Sequence, residues 1–193
     1  METNLYNNYL FKAIENYPYE LEKAIEALNY ALSYNPKSVK ALCLMARIQN
    51  EQLGDYELAK EYYEKALMSR LDIPDVYPDY IRLLINNEDY EEAQKLIDFA
   101  RQVKGIDKAG IELAQASLFE ANLEFDKAGK SLNDAKLLGM NNDFINYVDE
   151  VISRVNKKLK IQNKINQEAE NKKTETVDKP ETSWFRNRLN NLL

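Results

Sequence analysis

The 193-residue chain carries 26 Lys/Arg against 32 Asp/Glu, one cysteine, no histidine, and only 5 glycines and 5 prolines. A single thiol forms neither an internal disulfide nor a thiolate cage for zinc, and without histidine there is no Ser-His or Cys-His nucleophile pair and no His-containing zinc site. The net charge of −6 divides into −8 over residues 1–142 and +2 over residues 143–193, so the body lacks the basic face that duplex DNA requires.

Hydrophobic residues make up 45% of the chain, enough for an ordinary core. No window approaches the 18 or so apolar residues of a membrane span. The opening METNLYNNYLFKAIENY has no basic stretch followed by a long apolar run, so no signal peptide is expected and the cytoplasm is the expected compartment.

Scarce Gly and Pro favour long helices with few tight turns. In chain order, the pattern predicts helices over about 3–16, 19–34, 37–53, 56–70, 74–87, 90–103, 107–121 and 125–138, which pair into four units of about 3–35, 36–71, 72–105 and 106–140. Gly54-Asp55 is expected to end one helix and cap the next, and Asn87-Glu88-Asp89 to do similar work. Asn35-Pro36, Gly105 and Gly139 separate the units, the glycines as acceptors of a left-handed backbone, and Pro74 suits a first helical turn.

The second helix of each pair repeats a phrase. It reads YELEKAIEALNYAL from Tyr19, DYELAKEYYEKAL from Asp55, DYEEAQKLIDFA from Asp89 and EFDKAGKSLNDAKL from Glu124. Aligning the phrases superimposes Ala24, Ala59, Ala93 and Ala128, and seven residues later Ala31, Ala66, Ala100 and Ala135. Seven residues are nearly two helical turns, so both alanines share a face and let a neighbouring helix approach closely. Leu28, Tyr63, Ile97 or Leu132 fills the space between them.

A period near 34, a helix-turn-helix unit and the phrase GDYELAKEYYEKAL resemble the tetratricopeptide repeat. The resemblance covers about residues 3–140. It implies an all-α superhelix of about four repeats in residues 1–141. The sequence departs from the family where Asn8, Cys43, Tyr77 and Glu112 stand in place of the usual Trp, and only Pro36 keeps the loop proline.

The last repeat needs a cover for its apolar face. Ile145, Val148, Ile152, Val155 and Leu159 form an amphipathic stripe, so residues 142–167 are expected to be one capping helix. Its far half carries Arg154, Lys157, Lys158, Lys160 and Lys164. These suit an acidic partner, an anionic membrane surface or RNA; the alternative is a solvated face whose lysines complement the helix dipole. Residues 168–182 have the composition of a disordered linker. Residues 183–193, SWFRNRLNNLL, then set Trp184, Phe185, Leu189, Leu192 and Leu193 on an apolar stripe, a docking motif for a partner, for this chain's own groove, for a neighbouring copy or for a membrane.

In the family, the first helices line a concave groove that holds a peptide or a helix. Carried onto this chain, the groove-facing positions are Tyr6, Tyr9, Ala13 and Tyr17, then Ala41, Leu44, Ile48 and Gln52, then Asp75, Asp79, Arg82 and Asn86. This places aromatic and apolar residues at one end and acids further along, which suits a ligand with apolar anchors and basic groups. For Tyr6 and Tyr9, packing inside the first repeat is an equal alternative. The subclass that grips a C-terminal carboxylate uses Lys, Asn and Arg; the corresponding positions here are Tyr9, Ala13, Met45, Asp75 and Asp79, so no such clamp is expected. Cys43 reads as a small buried hydrophobe.

The resemblance thus implies an interaction scaffold for a protein or peptide partner, needing no metal or cofactor and not an enzyme. The second reading is a membrane-surface or structural subunit that uses the basic helix and the tail, with homo-oligomers formed by tail exchange.

Overall fold

The computed structural model describes residues 2–177. Among these the architecture is all-helical: α1 (Glu2–Asn16), α2 (Leu21–Tyr34), α3 (Val39–Ile48), α4 (Tyr56–Ser69), α5 (Val76–Asn86), α6 (Tyr90–Ala100), α7 (Lys108–Ala121), α8 (Phe125–Leu138) and α9 (Asn142–Val177). A π-helical turn, Gln49–Leu53, continues α3 toward Gly54. The predicted pairing into helical hairpins is the observed one, with α1, α3, α5 and α7 as first helices and α2, α4, α6 and α8 as second helices.

The alanine rule accounts for the packing. All eight repeat alanines have no exposed surface, and Leu28, Tyr63, Ile97 and Leu132 between them are buried as well. Small residues at two positions per second helix bring neighbouring helices close, and the large residue fills the remaining gap. The core runs as three linked clusters: α1–α3 around Leu28 and Met45, α3–α7 around Tyr63, Tyr77 and Ile81, and α7–α9 around Phe125, Leu132 and Val148. This is the layered, nearest-neighbour core of a repeat array.

Local chemistry fixes the helix ends. Ser38 Oγ accepts from Ala41 N–H at 3.3 Å, and Asp55 Oδ1 accepts from Leu58 N–H at 3.0 Å. The turns inside the second, third and fourth repeats each need one residue at positive φ, filled by Gly54 (67°), Glu88 (65°) and Leu123 (61°).

Three details differ from expectation. Gly139 is extended (φ −67°, ψ 133°) rather than left-handed; it is small because a Cβ there would meet the Phe144 ring at 2.8 Å. Asp89 starts α6 without a side-chain cap bond, because its carboxylate is taken by the Tyr56 hydroxyl and by Lys60 Nζ. Finally, α9 runs on to Val177, past the predicted boundary at 167. No Gly or Pro interrupts residues 142–177, and Lys164 and Glu168 pair along the helix, so nothing local stops it. The rest of the expected linker and the whole motif of Trp184, Phe185, Leu189, Leu192 and Leu193 lie outside the described residues.

Candidate concave groove

The first helices present two adjoining hollows. One, of about 360 Å³, is walled by α1, α3 and α5: Ile14, Tyr17, Val39, Lys40, Cys43, Leu44, Arg47, Ile73, Asp75, Val76 and Asp79. The other, of about 460 Å³, is walled by α5, α7 and α9 and includes Asp79, Arg82, Asn86, Leu113, Ser117 and Tyr147. Asp79 belongs to both, so the two form one groove across the first helices.

A polar network links these helices. Tyr17 Oη donates to Glu51 Oε2 at 2.8 Å, Arg82 Nη2 donates to Glu51 Oε1 at 2.9 Å and to Asp79 Oδ1 at 3.0 Å, and Arg47 Nη2 donates to Asp79 Oδ2 at 2.5 Å. Burial and then the Glu51 hydrogen bond push the Tyr17 phenol up. Burial alone would lower the Arg47 guanidinium, but Asp79 outweighs it and the pKa rises. Burial, and after it the charge of Asp79, pushes the Cys43 thiol up to about 12, so it stays protonated and is a poor nucleophile at neutral pH. Cys43 is only half-buried, on the wall of the first hollow.

The network changes the expected electrostatics. Asp79 lies between Arg47 and Arg82, and Arg82 and Tyr17 hold Glu51, so the acids read from the sequence are largely neutralised within the groove. Asp75 is exposed and, among the described residues, has no ion-pair or hydrogen-bond partner. The groove is therefore a mainly apolar channel with one free carboxylate and the ammonium of Lys40 at one end.

The predicted groove residues divide into three groups. Tyr17, Leu44, Asp75, Asp79, Arg82 and Asn86 line the hollows. Gln52 is exposed on the π turn beside Tyr17. Ala13, Ala41 and Ile48 point elsewhere: they have no exposed surface and belong to the α1–α3 core. Tyr9 is stacked on Tyr30 (5.0 Å between ring centroids) and Tyr34 (5.9 Å) of α2, inside the first hairpin. Tyr6 lies on α1. Sequence reading missed Ile14, Cys43 and Arg47. The last two share a stripe with Lys40 and Leu44 at spacings of three and four residues, a signal that was present. It also missed Tyr147, because the near half of α9 was read as a cover for the last repeat.

The basic run on α9 has partners inside the fold. Arg154 Nε and Nη2 donate to the two carboxylate oxygens of Glu120 at 3.0 and 2.8 Å, and Lys158 Nζ donates to Oε1 at 2.8 Å. Gln162 Nε2 reaches the carbonyl of Leu123 at 3.1 Å. Two of the five cations thus fasten α9 to α7. Among the described residues no cluster of His, Cys, Asp and Glu has metal-site geometry, and no helix is long and apolar enough to cross a membrane.

Comparison with known proteins agrees with this geometry. The tetratricopeptide repeat profile matches residues 39–72, which hold α3, the π turn and α4. PilF of Pseudomonas aeruginosa superposes with a TM-score of 0.71 at 20% identity, over 82% of this chain and 71% of that one. MamA (41-end) of Desulfovibrio magneticus RS-1 superposes with a TM-score of 0.58 at 15% identity, over 83% of this chain and 97% of that one. No curated protein matches the sequence. Residues 39–72 thus match one tetratricopeptide repeat, and the same alanine-marked hairpin stands before and after it, in the fold that the two solved structures share.

Proposed function

We propose that the chain is a cytoplasmic interaction scaffold that holds a peptide or helix from a protein partner in its concave groove. The observation that carries this is the continuous channel of mixed apolar and neutralised polar side chains across α1, α3, α5, α7 and α9. Its walls are set by core packing, so binding requires little reordering of the receptor. The internal pairing of Asp79 and Glu51 favours apolar anchors over strongly charged ligands, with Asp75 as the one free acid to meet a cation. Recognition is then of the helix-in-groove or extended-peptide kind, with anchors at alternate turns or residues.

A display library of random peptides selected against the chain tests this. Binders are expected to carry two or more large apolar residues, and their binding to fall at least roughly tenfold in Ile14→Glu and in Ser117→Trp, which charge one hollow and fill the other. Both positions are exposed, so folding should survive. Binders insensitive to both changes would place the ligand surface elsewhere.

A further inference from the structure

The groove has a candidate occupant within the chain itself. Residues 183–193 put Trp184, Phe185, Leu189 and Leu192 at helical spacing beside Arg186 and Arg188. That is an apolar stripe with flanking cations, and the groove offers an apolar channel with one ungripped carboxylate, Asp75. Building on the groove reading above, we propose that the groove of one copy receives residues 183–193 of a second copy.

The choice of a second copy follows from reach. The hollow between α3 and α5 lies along the first turns of those helices, at Val39–Arg47 and Asp75–Asp79. At the opposite edge, Gln162 of α9 bonds to the turn residue Leu123. From there α9 runs on to Val177, about 22 Å further from the body at 1.5 Å per residue. From Asp79 down to the Glu88 turn, at the same edge as Leu123, is about another 13 Å by the same rise. A tail returning to its own hollow therefore has to cover about 35 Å along the helix direction alone. The seven residue steps from Val177 to Trp184 span at most about 25 Å, whatever their conformation. The extended α9 thus carries Trp184 beyond the reach of its own α3–α5 hollow, the one that holds Asp75, and presents it to that hollow of another molecule. A heterologous contact of this kind closes as a reciprocal dimer or propagates as a chain.

Trp184 is the only tryptophan, so its fluorescence reports the motif alone. The test is light scattering with Trp emission on the full-length chain over a wide concentration range, on three variants: Trp184→Ala with Leu189→Ala (tail), Ile14→Glu (groove) and Asp75→Lys (groove). The tail substitutions lie outside the described fold and the groove residues are exposed, so loss of folding is not expected to intervene. We expect wild type to associate, with a blue shift of Trp emission that tracks the association. We expect association to weaken at least roughly tenfold in the tail variant and in Ile14→Glu, and less in Asp75→Lys. Mixing the tail variant with Ile14→Glu should restore one contact and yield a heterodimer. A wild type that stays monomeric would overturn the proposal, whether Trp184 is exposed or is buried at all concentrations. So would association that the groove variants leave intact. If library peptides still bind and still respond to Ile14→Glu in those cases, the groove reading stands and only its occupant is wrong.

Discussion

Two seams of the array are fastened differently. Between the second and third repeats, Tyr63 and Tyr80 stack face to face with ring centroids 5.2 Å apart, both buried. Ion pairs then clamp that seam on both surfaces. Arg47–Asp79 and Arg82–Glu51 lie on the concave side, and Lys60 reaches Asp89 (3.1 Å) and Glu92 (2.6 Å) from α4. Where α9 covers the last repeat, the contact is a row of small branched residues, Val148, Val151 and Val155, with clamps at Glu120 and between Lys136 of α8 and Asp149. An internal seam is held by layers on either side, whereas a terminal seam has only one neighbour, so the nearest-neighbour stability of a repeat array predicts that α9 opens first. Hydrogen exchange resolved along the chain should show α5 and α6 better protected than the Val148–Val155 stretch of α9.

The strongest way to break this contrast is to remove an aromatic from the internal seam. Tyr80→Ala deletes a side chain that is 2% exposed and leaves a cavity against Tyr63, at a cost of about 3–5 kcal/mol in denaturant unfolding. Tyr80 also donates to Glu92, so the loss weakens the convex clamp as well. If Val155→Ala costs as much, the two seams are equivalent and the contrast fails.

A bulkier alanine position tests the same point from the opposite side. Ala59→Leu forces a larger group into a fully buried site between packed layers and should cost about 1–3 kcal/mol. Ala128→Leu, under α9, should cost less, because α9 has no further layer behind it and can shift outward. Equal melting temperatures for the two variants would mean that α9 is seated as firmly as an internal helix.

How far the sequence foretold these features depends on their range. The alanine pairs, the intervening large residues and the cap at Asp55 concern contacts within one repeat, and repetition amplified the signal of the first two. The salt-bridge network joins partners such as Arg47 and Asp79 that lie on different first helices, where nothing in the local pattern pairs them. For that reason Asp79 read as a free acid of the groove. Ala13 and Ile48 were carried over from the family but are turned into the α1–α3 core, since a groove-facing stripe is narrower than the set of positions on that side of a helix. The end of α9 was misplaced because polarity was read as a linker, although a polar stretch free of Gly and Pro can continue a helix that packing has already nucleated.

Glu120 gives a smaller and pH-resolved test of the terminal seam. Burial would raise its carboxyl, but the hydrogen bonds of Arg154 and Lys158 prevail and hold it below its usual 4.5. A lowered folded-state pKa contributes stability that is complete above the ordinary value and is lost as pH falls through the folded one. Glu120→Gln should therefore cost about 1–2 kcal/mol near neutral pH and little in acid, where the wild-type carboxylate is protonated as well. The loss should appear first in the far half of α9. A penalty that stays constant from neutral pH to pH 3 would mean that packing, not charge, holds the clamp.

The smallest expected effects come from the three intra-repeat turns, and here substitution should stabilise. Gly54 takes its left-handed φ without a side chain, whereas Glu88 and Leu123 hold the same kind of φ with one. For an L-residue that conformation costs about 1–2 kcal/mol, part of which glycine returns through the greater freedom of the unfolded chain. Glu88→Gly and Leu123→Gly should each gain about 0.5–1 kcal/mol. Glu88 is exposed and Leu123 is 62% exposed, so neither change removes a core contact. Gly54→Ala is the control, since a Cβ there has no atom within 4 Å and any loss is purely backbone. The bond that Gln162 makes to the Leu123 carbonyl is a main-chain contact and should survive, so Leu123→Gly is expected to steady the edge where α9 leaves the body. If Leu123→Gly destabilises while Glu88→Gly stabilises, the leucine side chain helps to seat α9, and the terminal seam is broader than its valine row.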